Sequence, residues 1–178
     1  MKRRALLMST AAFAVAGALP AVGDAAGSLR DAAKALQNQP YIPNTTPLAP
    51  PFAGLDYNAY RGIRPQAGKA SMLPHGNRFA VDLLPPGLYF PDPIKVDKIT
   101  SEGLQEITFS PGLFDFDARY FDEIPQTSPG AGFSGMRLRY PLNAPDRMDE
   151  VLVMQGASYF RAIGEAMVYG LSARTVAN

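Results

Sequence analysis

The sequence contains no cysteine, no tryptophan and a single histidine, His75. A metal site built from thiolates or clustered imidazoles therefore cannot be assembled, and neither a metal nor a cofactor is expected. A Ser-His-Asp triad would have to use His75. Net charge is also scarce, since 17 Lys+Arg against 16 Asp+Glu leave +1. No basic run follows the first four residues, so the electrostatic footprint of a nucleic-acid binder is missing and nucleic acid is not an expected partner. Only one stretch, residues 5–22, approaches the ~20 apolar residues that a membrane span needs, and it contains Pro20. Proline is in excess, with 17 residues in 178, about twice the usual ~5% share. Together with a hydrophobic share of 47%, this describes one folded domain with many turns between short strands.

Lys2-Arg3-Arg4, the Ala-rich run from Ala5 to Ala18, Pro20 and the small residues around Gly23-Asp-Ala25 have the three-part layout of an export signal. Residues 1–25 are expected to be removed, with the mature chain starting near Ala26 and no stable membrane span left. Removal takes Lys+Arg from 17 to 14 and Asp+Glu from 16 to 15, a net charge of −1. The paired arginines ahead of a weakly hydrophobic run resemble a twin-arginine signal. Ala5-Leu-Leu-Met8 stands where such signals usually carry Phe-Leu-Lys, which leaves the Sec route open as well. The expected location is the periplasm.

Residues 26–54 read as a short helix and a proline-rich arm. Ser28, with Asp31 three residues on, predicts a helix start, and the pattern runs to about Asn38. Five prolines between Gln39 and Phe52 then predict an extended connection. From residue 55 to 178 a period of two dominates. Phe79, Val81 and Leu83 alternate with Ala80 and Asp82, Ile94 and Val96 with Lys95 and Asp97; Ile107 and Phe109, Phe114 and Phe116, and Met136, Leu138 and Tyr140 repeat the pattern. Turn signals such as Pro85-Pro-Gly87 and Ser128-Pro-Gly-Ala-Gly132 separate these segments. An all-β, antiparallel protein is predicted. Val151-Leu-Val-Met154 is apolar on both faces, which predicts a central strand beneath a second sheet and hence a β-sandwich.

Asp115 and Asp117 lie two apart on a predicted strand, about 6.6 Å from each other by strand rise. That spacing suits an inverting glycosidase, but alternation with Phe114 and Phe116 is also what a solvated sheet face looks like, and that reading is preferred. Asp146, Asp149 and Glu150 follow a proline turn, where they can orient Arg147 or remain solvated. Tyr159-Phe-Arg161 and Tyr169-Gly-Leu-Ser-Ala-Arg174 pair aromatic rings with guanidinium groups. Sugars offer apolar C–H faces to the former and hydroxyls to the latter, so Tyr159, Arg161, Tyr169 and Arg174 are the candidate carbohydrate-binding residues. The alternative is that Tyr159 and Phe160 fill the core while Arg161 closes an ion pair with Glu150 or Glu165. Tyr57, Tyr60, Arg61 and Arg64 form a second set of the same kind. His75, between Pro74 and Gly76, reads as a loop residue, and Gly130–Gly135 lacks the order of a phosphate-binding loop.

The segment from Met136 to Arg174 carries Tyr140-Pro-Leu-Asn143, Asp149-Glu-Val151, Gly156-Ala-Ser-Tyr-Phe-Arg-Ala162 and Tyr169-Gly-Leu-Ser-Ala-Arg174 at fixed spacing. It strongly resembles the periplasmic glucan biosynthesis family of the MdoG type, and the likeness begins at Leu55-Asp-Tyr-Asn-Ala-Tyr-Arg-Gly-Ile-Arg64. Two departures stand out. Leu84-Pro-Pro-Gly87 lacks the histidine of a usual Phe-His-x-Gly element, and Thr175-Val-Ala-Asn178 differs from the usual continuation. The resemblance implies an amino-terminal sandwich of the galactose-mutarotase-like type, present here as an incomplete piece because family members are much longer. It implies a periplasmic role in making β-1,2-linked glucan, with β-glucan polysaccharide and the inner-membrane glucan synthase as partners. Two alternatives stay open. One is a β-1,2-glucan hydrolase whose carboxylates lie beyond this piece, which alone would be inactive; the other is a non-catalytic binding or scaffold module.

Overall fold

The computed structural model describes residues 22–40, 42, 46–72, 79–156, 159–167 and 173–176. The chain divides into a small unit, Met1–Gln39 with Ile99–Gln105, and a large one, Pro40–Lys98 with Glu106–Asn178. The described part of the small unit contains helix α1, Val22–Leu36. It starts six residues ahead of Ser28, which therefore lies inside the helix. The six residues ahead of Ser28 hold two glycines against two alanines, so local propensity does not account for the earlier start, and the expected signal boundary at residue 25 falls inside the helix. Residues 99–105 form the tip of a hairpin between β4 (Asp97–Thr100) and β5 (Gly103–Glu106).

Among the described residues the large unit is all-β apart from the short helix α2, Tyr57–Arg61, and one turn of 3-10 helix at Pro111–Leu113. Its main sheet has six antiparallel strands, in the spatial order β10 (Ala173–Val176), β9 (Tyr159–Ala162), β8 (Asp149–Gln155), β7 (Gly135–Tyr140), β3 (Ala80–Leu84) and β2 (Ser71–Met72). A two-stranded ribbon pairs β1 (Ile63–Pro65) with β6 (Phe114–Phe116). This is the antiparallel, sandwich-like all-β architecture that the alternation predicts.

Period-two geometry sorts the side chains of β3 and β7 between two environments. Val81, Leu83 and Met136 pack on the apolar core, where Phe52, Phe114 and Phe133 are almost completely buried. Phe109, Phe116 and Phe121 extend that cluster through edge-on and tilted ring contacts 5.1–6.4 Å apart. Ile107 and Phe109 reach it from a loop and not from the strand their alternation predicts. The Ile107 N–H still donates to the Val96 carbonyl at 2.9 Å, and Pro111 closes off pairing soon after. Phe79 lies at the margin, 45% exposed, stacked on Tyr140 with ring centroids 4.5 Å apart.

β8 is central, as expected, but only one of its faces is well covered. Val153 is buried, whereas Met154 and its register partner Phe160 are 41% and 38% exposed. No second sheet covers that end among the described residues, and Phe160 does not belong to the core. The proline-rich segment ends in structure: the Ala53 N–H donates to the Ala49 carbonyl at 3.1 Å, and Phe52 plugs the core. The nearby glycines are steric. A Cβ on Gly130, at φ +75°, would come within 2.9 Å of the Pro47 and Thr46 carbonyl oxygens, and one on Gly135 would run into the β8 backbone at Met154 and Gln155.

Candidate functional site

The face of the main sheet opposite the core is polar, and its register lines up one cross-strand row. Ser71 on β2 stands opposite Asp82 on β3, Asp82 opposite Arg137 on β7, Arg137 opposite Val153 on β8, Val153 opposite Arg161 on β9, and Arg161 opposite Arg174 on β10. Cross-strand partners on one face lie close enough to interact directly. Above this row, residues 60–65 of α2 and β1 supply a second wall, and the two enclose an open cleft of about 660 Å³. Asp56 fixes α2 by accepting a hydrogen bond from the Ala59 N–H at 2.8 Å.

Asp82 is the anchor of the floor. It is 2% exposed, accepts from Ser71 Oγ at 2.6 Å and Arg139 at 2.8 Å on one oxygen, and from Arg137 Nε at 2.6 Å on the other. Burial alone would push this carboxyl up, yet the hydrogen bonds from Ser71, Arg139 and Arg137 outweigh it and hold it below its ordinary value. Arg137 also faces Glu150 at 3.6 Å, and Arg161 pairs with Glu150. The alternation pattern predicts a solvated face around Asp82; the structure buries it instead. Two arginines supply the compensation that a carboxylate there requires.

A second network ties the wall to the floor. The Tyr60 hydroxyl donates to the Pro85 carbonyl at 3.1 Å and accepts from Gln155 Nε2 at 2.6 Å, which also donates to Ser134 Oγ at 3.0 Å. Ser134 in turn donates to the Pro85 carbonyl at 2.6 Å. Burial raises the Tyr60 hydroxyl above its ordinary pKa, so it stays protonated and able to donate.

Of the four candidate carbohydrate-binding residues, Tyr159 and Arg161 both line this cleft. The ion-pair alternative for Arg161 holds too, with Glu150 as the partner. Arg174 is placed by its backbone directly across from Arg161. Tyr169 and His75 lie outside the described residues. From the second Tyr/Arg set, Tyr60, Arg61 and Arg64 line the same cleft, while Tyr57 is 61% exposed under the Arg61 guanidinium. Asp82, Arg137, Arg139 and Gln155 escaped the sequence reading. The available signal was an acid inside an apolar strand, together with Arg137 and Arg139 spaced two apart.

The aspartate pair is elsewhere. Neither Asp115 nor Asp117 lines the cleft. Asp115 accepts from Gln66 Nε2 at 2.8 Å, and hydrogen bonds from Arg119 hold Asp117 down to about 2. A carboxyl of that acidity is ionised at neutral pH and holds no proton to give a leaving group. Asp149 is buried and orients Arg147 through a 3.0 Å contact, while its other oxygen accepts from the Asn143 N–H. It belongs to a turn clasp and not to a solvated cluster.

Residues 25–178 match the family described as "Periplasmic glucan biosynthesis protein, MdoG". Relatives named "Glucans biosynthesis protein G" are 36% identical over 93% of the chain in Ralstonia nicotianae, 35% over 82% in Pseudomonas syringae pv. tomato, and 31% over 96% in Pectobacterium atrosepticum. The chain spans 32%, 22% and 32% of the length of those three relatives. Among the described residues, no helix is long and apolar enough to cross a membrane.

Proposed function

Because the chain belongs to the MdoG family of periplasmic glucan biosynthesis proteins, we propose that its arginine-lined cleft is a binding site for the β-glucan chain. The observation that carries this reading is the cross-strand row from Ser71 through Asp82 and Arg137 to Arg161, interrupted by Val153, which lines the floor of the cleft with hydrogen-bonding groups. Tyr159 offers the apolar surface on which a pyranose face packs, and Arg137, Arg139 and Arg161 present N–H donors to hydroxyl oxygens. The acids in the cleft, Asp82 and Glu150, are engaged by arginines. They fit a role in holding donors better than one in cleaving a glycosidic bond.

In this reading the chain grips glucan on the periplasmic side of the inner membrane, where a membrane-embedded synthase would deliver it. Lys2-Arg3-Arg4 and the following Ala-rich run support export with loss of residues 1–25, by the twin-arginine or the Sec route.

Titration with a linear β-1,2-glucooligosaccharide, followed by calorimetry, tests the reading. Tyr159→Ala is expected to weaken binding about tenfold, the scale of one aromatic contact. Arg161→Ala should weaken it by about ten- to a hundredfold, as for a lost hydrogen bond to a charged donor. No new reducing ends should appear on incubation. Unchanged affinity in both variants would move the glucan out of this cleft.

A further inference from the structure

The charge of the cleft is out of proportion to that of the chain. The whole sequence carries +1, whereas the cleft lining holds five arginines against two carboxylates, a formal +3. Both carboxylates are already used: Asp82 by Ser71, Arg137 and Arg139, and Glu150 by Arg137 and Arg161. They lock the guanidinium groups of Arg137, Arg139 and Arg161 in place and leave the floor itself one positive charge in surplus. Arg61 and Arg64 add to it from the other wall. Two acids stand near Arg64 outside the cleft lining: Asp115, its register partner in the β1–β6 ribbon, which accepts from Gln66, and Asp117, which Arg119 holds at 2.6 Å. Deeper in, the Nε of Arg139 is buried and has no hydrogen-bond acceptor among the described residues.

Filling such a cleft with a neutral sugar would strip water from cations while returning no opposing charge. A phosphate or carboxylate returns it, and its paired oxygens match the planar fork of a guanidinium. We propose that the cleft selects a glucan bearing an anionic substituent over the plain polymer, a refinement that rests on the glucan-binding reading above.

Three ligands separate the outcomes: a linear β-linked glucooligosaccharide, the same oligosaccharide carrying one phosphate monoester, and inorganic phosphate alone. Each is titrated against the full chain at about 0.1 M and about 1 M salt, where screening lengths are roughly 10 and 3 Å. The phosphorylated oligosaccharide is expected to bind about tenfold tighter than the plain one at low salt, and the advantage should shrink at high salt. It should also shrink in Arg61→Gln/Arg64→Gln, two exposed positions whose change leaves the Asp82 contacts intact. Binding of the phosphorylated form with none of the plain form supports the selectivity and counts against the neutral backbone as the ligand. Equal affinity for the two oligosaccharides overturns the selectivity and leaves glucan binding standing. Failure of both to bind overturns both readings. Inorganic phosphate binding as tightly as the phosphorylated sugar also overturns the proposal, since the cleft would then be a site for a free ion.

Discussion

Asp82→Ala is expected to lower the stability of the folded chain by about 3 kcal/mol, the scale for removing one partner of a buried ion pair. The substitution leaves Arg137 and Arg139 facing each other with their shared acceptor gone, and it strips Ser71 of its 2.6 Å hydrogen bond. The lower end of the range applies because the two arginine side chains are 35% and 27% exposed and regain some water. Urea denaturation of the wild-type chain and the variant measures the difference, and a loss below about 1 kcal/mol would show that the contacts are incidental. The same carboxylate sets a pH dependence. Its pKa is held below that of an unfolded aspartate, about 3.9. Its contribution is therefore fully present above that value and is lost as pH falls through the lower folded value. Asp82→Asn should flatten this part of the acid limb.

Phe52→Ala should cost about 3–5 kcal/mol, the range for deleting a fully buried aromatic ring. Phe52 is completely buried, meets the Phe109 ring edge-on at 5.7 Å and lies 6.4 Å from that of Phe116. A cavity there cannot easily collapse, because the flanking Pro50 and Pro51 restrict how far the backbone can follow. A thermal melt reports the effect directly. A variant that melts with the wild type would return the proline-rich segment to the status of a dispensable linker.

The sheet was readable from residue type because burial on one face imposes a period of two. Val81 and Leu83, Phe114 and Phe116, and Met136 and Leu138 state their facing in the sequence. Tyr159 and Arg161 stand out for a different reason, an aromatic ring beside a guanidinium, and both line the cleft. The floor of the cleft was not readable. Asp82 looks like the solvated member of an alternating pair, and only the pairing of β3 with β7 brings Arg137 and Arg139 over it. Sequence alternation assigns a side chain to a face; what lies on that face depends on strands 55 residues and more away. Helix α1 shows the limit of local signals from the other side. Ser28 and Asp31 form an acceptable start, yet the helix begins at Val22, through Gly23 and Gly27, which local propensity argues against.

Occupancy of the cleft above the cross-strand arginines by glucan is open to direct measurement. Isotope-labelled arginine lets each guanidinium Nε–H be followed by nuclear magnetic resonance while a β-1,2-glucooligosaccharide is added to the full chain. Such occupancy predicts saturable shifts at Arg137 and Arg161, with Arg119, paired to Asp117 outside the cleft, staying still. Shifts confined to Arg119, or no change at Arg137 and Arg161 in a chain that binds the sugar, would contradict it.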